Sequence, residues 1–168
     1  PFIDIPAGEP GHLERATGMA WHEGDLLVAS QGDGLVKRYD GRTGRWKADV
    51  ARATPGALTE IAVVDGRLYL TDFASSAIRL SDMADPAAPA PVWAALDGHA
   101  PWGLVATSEG RFLASTSANR ILRLDGARTE EWAGVGGGLD TPVWLSSGPD
   151  GLLYAANLYG NSVSVWSA

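Results

Sequence analysis

The chain of 168 residues contains no cysteine, which removes disulfides, thiolate metal sites and a cysteine nucleophile together. Basic residues are scarce: 13 Lys and Arg stand against 20 Asp and Glu, for a net charge of -7. A phosphate backbone or an anionic bilayer would meet repulsion, which argues against nucleic acid and membrane surfaces as partners. No run approaches the ~20 apolar residues of a membrane-spanning helix. His12, His22 and His99 are the only histidines, and none has the i, i+4 or HxH spacing of a strong metal signature. Nucleophile elbows, glycine-rich phosphate loops and diagnostically spaced carboxylate pairs are missing too. A chain opening on Pro1, with neither an initiator Met nor a charged-then-apolar leader, reads as trimmed.

What is present is an ordinary globular balance, 45% hydrophobic and 20% charged, enough for one domain with a sizeable core. The wealth of Ala, Gly, Arg and Asp suggests a GC-rich bacterial genome. The dominant feature is a repeat. Thr17-Gly18-Met19-Ala20, Thr59-Glu60-Ile61-Ala62, Trp102-Gly103-Leu104-Val105 and Val143-Trp144-Leu145-Ser146 are equivalent, with Met19, Ile61, Leu104 and Leu145 spaced 42, 43 and 41 apart. Each leads to a tight turn, at Glu23-Gly24-Asp25, Asp65-Gly66-Arg67, Glu109-Gly110-Arg111 and Asp150-Gly151, where Gly supplies the positive φ of a short hairpin.

Second strands follow at 26–29, 68–71, 112–115 and 152–155, apolar almost throughout, as central strands buried on both faces should be. Third strands carry the anchors Val36, Ile78, Ile121 and Val163, and close on Asp40, Asp82, Asp125 and Ser167. Outer strands are expected around Trp46, Trp93 and Trp132, each ring laid against the next repeat. Met83 to Ala95, with prolines at 86, 89 and 91, reads as an extended loop before the second outer strand. Gly and Pro together number 31 and no segment sustains a 3.6-residue period, so a helical fold is rejected.

These features predict an all-β β-propeller, one domain over 1–168, with four blades of four antiparallel strands at about 17–56, 57–99, 100–140 and 141–168 plus 1–7. The fourth repeat lacks an outer strand, and Phe2-Ile3-Asp4-Ile5 has the alternation to supply it and close the ring. A cut through a longer array at that phase would leave the same ends.

The patterns in Asn119-Arg120-Ile121-Leu122-Arg123-Leu124-Asp125-Gly126, Pro101-Trp102-Gly103-Leu104-Val105 and Leu68-Tyr69-Leu70-Thr71-Asp72 resemble the NHL repeat and its relatives, the gluconolactonase-like (SMP-30) and virginiamycin B lyase-like propellers. That resemblance covers nearly the whole chain and is specific for architecture, not for function. NHL propellers usually have five or six blades, so a ring completed by two chains is one remedy for the four repeats here. Any site is expected on the channel face, among the loops that lead into the first strands and those between second and third strands.

Three functions are consistent with these residues. The first is a binding or assembly module for a small molecule or partner protein, with Trp102, Trp144, Phe73 and Tyr159, beside Leu158, presenting aromatic faces on one rim. The second, implied by the resemblance, is a lactonase or lyase dependent on calcium or magnesium, with Glu60 and His99 as chemical groups and Glu60, Asp72 and Asn157, with Asp140 as a further companion, as metal ligands. Glu60 and Trp144 draw attention because their repeat position is held elsewhere by Gly18 and Gly103. The third is a trimmed or engineered propeller fragment that self-assembles without activity.

Overall fold

In the computed structural model, described for residues 1–107, 112–126, 128–134 and 137–167, the chain is all-β, with fifteen strands among the described residues. The strands are β1 Ala16–His22, β2 Asp25–Ser30, β3 Leu35–Asp40, β4 Trp46–Arg52, β5 Leu58–Val64, β6 Arg67–Asp72, β7 Ala77–Ser81 and β8 Val92–Ala95, then β9 Pro101–Ala106, β10 Phe112–Thr116, β11 Arg120–Asp125, β12 Arg128–Ala133, β13 Pro142–Ser147, β14 Leu152–Asn157 and β15 Ser162–Ser167. They form four antiparallel meanders, β1-β2-β3-β4, β5-β6-β7-β8, β9-β10-β11-β12 and β13-β14-β15, called sheets 1 to 4 below. Two-residue hairpin turns at Glu23-Gly24 and Asp65-Gly66 place both residues at positive φ, the geometry that matches strand twist. The expected Glu109-Gly110-Arg111 turn lies outside the described residues.

The first strands β1, β5, β9 and β13 lie side by side in chain order. Each sheet packs face to face on the next, and three hydrophobic clusters fill the three joints. In the first, Leu27, Ala29 and Val36 of sheet 1 meet Ile61, Leu68 and Leu70 of sheet 2. In the second, Tyr69, Trp93 and Phe112 close a ring triad with centroids 4.2–5.2 Å apart. In the third, Trp132 meets Trp166 at 6.1 Å. The period-2 alternation of each strand therefore serves two joints, one per face.

The N-terminal segment departs from expectation. Phe2 to Ile5 forms no strand and does not pair with β15, which leaves sheet 4 with three strands. The backbone groups a strand would need are engaged elsewhere. Pro6 and Pro10 lack N–H donors, the Ile5 carbonyl faces His12 Nδ1 at 2.7 Å, and the Phe2 carbonyl sits so close to Gly44 that a side chain there would collide with it. Instead the segment lies on sheet 1, on the side turned away from sheet 2. Tyr39 donates its hydroxyl to the Gly11 carbonyl at 2.5 Å, and Lys37 donates to the His12 carbonyl. Trp46 is therefore a second correction: Trp93 and Trp132 pack in joints, whereas Trp46 lies beneath Gly11 and bonds Asp49 through Nε1 at 3.2 Å.

β1 and β13, at the two ends of the inner series, share no packing like that joining β1 to β5. The far face of sheet 4 is open. Consequently β14, expected to be buried on both faces, alternates between half-buried and buried, whereas five of the six residues of β6 are buried.

Tyr39 is fully buried, so Tyr39→Phe removes one hydrogen bond and strands the Gly11 carbonyl. The expected cost is about 1–2 kcal/mol, read as a lower urea midpoint with an unchanged slope, together with faster proteolysis ahead of residue 13.

Candidate functional site

The rim of interest is built by the loops after β2, β6, β10 and β14 and by the lead-ins to the first strands. One polar residue at the end of each second strand, Ser30, Asp72, Thr116 or Asn157, is buried there and organises its loop. Ser30 Oγ accepts from the Glu14 amide at 2.9 Å. Asp72 accepts from Arg79 Nε at 2.6 Å, Thr54 Oγ1 at 2.8 Å and the Ser75 amide at 3.1 Å. Burial alone would push its carboxyl up, but these donors hold it below the ordinary value. Asn157 donates to Ser164, Ser162 and the Gly138 carbonyl and accepts from the Asp140 amide. Asp72 and Asn157, both metal candidates from the sequence, thus lie in separate sheets with their polar atoms engaged in holding loops. Asp140 is exposed. Among the described residues no three His, Asp or Glu side chains converge as a metal site would require.

Glu60 stands apart from them. On β5 its carboxylate turns back against Gly18 of β1 and, among the described residues, accepts only its neighbour's amide, Ile61 N, at 2.9 Å. Burial between the inner strands raises its pKa from an ordinary 4.5 to about 7. Gly18 is glycine for a steric reason, because a Cβ there would come within 2.8 Å of the Glu60 Cα. Gly103 has the same constraint, with the Val143 carbonyl 2.7 Å from a Cβ. The repeat position shared by Gly18, Glu60, Gly103 and Trp144 is where one inner strand approaches the next. His99 is half-buried in the turn before β9, and among the described residues its ring makes no hydrogen bond or ion pair.

The four aromatic candidates separate into two groups. Phe73 and Trp102, both half-buried, meet across sheets 2 and 3 with centroids 5.0 Å apart at 59°. On sheet 4, Trp144 and Tyr159 are exposed and have no ring against them among the described residues. Trp144 lines a shallow depression of about 460 Å³ with Val143, Leu158 and Val163. Tyr159 is 73% exposed beside it in sequence and Leu158 is 50% exposed.

Sequence reasoning missed the latches between inner strands. Thr17 donates to the Leu58 carbonyl at 3.3 Å and its repeat equivalent Thr59 to the Pro101 carbonyl at 3.2 Å. Within sheets 2 and 3, the second-strand residues Thr71 and Ser115, again equivalent, accept from the first-strand amides of Glu60 and Gly103 at 2.6 and 2.8 Å. The signal was available: Thr recurs 42 residues apart at a position before the apolar anchor.

No protein-family model and no curated protein matches the chain. Among solved structures it is similar to a streptogramin B lyase, at 19% identity and TM-score 0.71, covering 92% of this chain and 52% of that one. A virginiamycin B lyase from Staphylococcus aureus matches at 14% identity and TM-score 0.66, over 94% of this chain and 57% of that one. A structure of a nidogen/laminin complex matches at 16% identity and TM-score 0.76, over 90% and 60%. The chain has the β-propeller fold, related in structure to virginiamycin B lyase. It spans about half the length of the lyases it matches.

Glu60→Gln tests the buried carboxyl. The folded chain keeps between about pH 4.5 and 7 a proton that the unfolded chain releases, so stability falls as pH rises through that window. The glutamine variant should melt above the parent at pH 8, by up to about 2 kcal/mol, and the gap should close by pH 4.5 in calorimetric melts.

Proposed function

We propose that the four sheets are four blades of an NHL-like propeller module, in one domain, that binds an apolar or aromatic ligand or partner segment on its loop rim. The observation that carries this reading is the solvent exposure of Trp144 and Leu158, which line the depression on sheet 4, and of Tyr159, next to Leu158 in the chain. Soluble chains seldom leave such a cluster uncovered unless something binds it. Large rigid rings with a polar tip give contact area at low entropic cost. The half-buried Phe73-Trp102 pair on sheets 2 and 3 is a second aromatic element of the same rim. A propeller seen in a nidogen/laminin complex is a precedent for partner binding by this fold.

A random-peptide display library panned against the intact chain tests the reading. Enriched peptides should carry aromatic residues and lose at least about tenfold in affinity, ~1.4 kcal/mol, for a Leu158→Ser/Tyr159→Ser double variant. Both positions are exposed, so the fold tolerates the change. Peptides that bind both forms equally, or no enrichment, would refute it.

A metal-dependent lactonase or lyase is the second reading, favoured by one feature, the Glu60 carboxyl poised near neutrality between inner strands, and by the likeness to a streptogramin B lyase. Glu60 is then the base or a ligand to calcium or magnesium and His99 a second proton-transfer group, while Asp72 and Asn157, each engaged in its own sheet, would have to give up those hydrogen bonds to share an ion with it. Calorimetric titration of chelator-treated protein with calcium and with magnesium decides it. Uptake that disappears in Glu60→Gln supports this reading, and no heat of binding discards it.

A further inference from the structure

The three joints share one plan, and the chain ends in the two unmatched halves of a fourth. Each sheet uses one face, the far face, to receive the next sheet and the opposite, near face to meet the preceding one. The third-strand anchors Val36, Ile78 and Ile121 lie on these packed faces and are 0% exposed, whereas their equivalent Val163 is 62% exposed. On the near face, Ile61 and Leu104 are 3% and 5% exposed, whereas their equivalent Met19 is 64% exposed and Trp21 beside it 63%. Strand register places Val163 with Ala156, and Val165 with Tyr154, on the far face of sheet 4. It places Met19 with Val28, and Trp21 with Leu26, on the near face of sheet 1. One apolar half-joint thus lies at each end of the chain, and the two are of opposite kind.

We propose that a second copy of this chain covers both ends, the far face of sheet 4 in each copy receiving the near face of sheet 1 in the other. Three observations select this occupant. The two half-joints are the complements of each other by the pattern of the three filled joints. The N-terminal segment covers the outer part of sheet 1's near face, over Lys37 and Tyr39, but leaves the axial part at Met19 and Trp21 bare. The four sheets amount to about half of the larger lyase propellers, so a head-to-tail contact closes after two copies instead of running on as a filament. Both contacts are then equivalent, and the ring contains eight sheets. The covered face shares Val163 with the depression beside Trp144, whereas Val165 and Trp21, the positions tested, do not line that depression.

Light scattering of the 168-residue chain should give twice the 17.6 kDa single-chain mass. Trp21→Lys and Val165→Glu, both at exposed positions, should each abolish the dimer because each damages both contacts. An equimolar mixture of the two variants should restore it, since one contact is then wholly native and the other pairs Lys with Glu. That rescue also shows that both variants are folded. The proposal fails if the parent chain is a monomer, in which case another protein or a further blade covers the ends. It fails as well if only one variant disrupts the dimer, which marks a symmetric contact through a single face, or if the mixture stays monomeric.

Discussion

The structure depends on the close approach of successive inner strands at the axis. Where β1 meets β5 and β9 meets β13, the neighbouring backbone leaves no room for a Cβ at Gly18 or Gly103, and at that distance a threonine hydroxyl reaches the next sheet's carbonyl. Everything farther out follows from this spacing. Second and third strands are held at the separation that aliphatic side chains fill, so Leu27, Leu68, Leu70 and Ile78 are fully buried. The outer strands close the wedge with larger rings, Trp93 against Tyr69 and Phe112, and Trp132 against Trp166. Small at the axis, aliphatic in the middle and aromatic at the rim is the size gradient that a radial stack of twisted sheets demands.

Substituting the axial glycine position has different consequences in the two sheets that do it. Glu60 fits because its carboxyl folds back along its own strand onto Ile61 N and lies over Gly18. It is desolvated with no cationic partner among the described residues and consequently retains its proton to near neutrality. Trp144 has no sheet beyond it, so its indole stands in solvent. The same repeat position therefore generates a buried acid in one sheet and an exposed aromatic in another, by virtue of what lies next door.

The repeat was legible because the joint imposes it. Met19, Ile61, Leu104 and Leu145 recur in step, and so do the strands and their pairing. Burial was less legible, since Met19 and Ile61 are equivalent in sequence and differ only in having a neighbour. The N-terminal segment was misread for a related reason: Phe2 to Ile5 alternates like a strand, but the carbonyl contacts to His12 and Gly44 that decide its course are made with residues distant from any repeat pattern. At the site, the choice of Phe73 and Trp102 as rim residues followed from their loops. Their mutual contact required knowing that sheets 2 and 3 bring those loops together. Asp72 was named a ligand because the resemblance implies acidic and amide ligands near the channel and its loop lies on that face. Its Arg79 partner seven residues on turns that charge to structural use.

The two ends of the chain are consequently unequal in stability. Sheet 1 is covered on one side by sheet 2 and on the outer part of the other by the N-terminal segment, whose carbonyls accept from Lys37 and Tyr39. Sheet 4 has one packed face and three strands, and β15 ends in an unpaired edge. In stacked repeats each unit draws its stability from its neighbours, so the unit with a single neighbour opens first. An occupant of the far face would bury Val163 and Val165 and supply the missing second neighbour. Contact at that face and order in sheet 4 are thus two aspects of one equilibrium, and the aromatic rim carried by its loop, Leu158 and Tyr159, is held in place only to the extent that sheet 4 is.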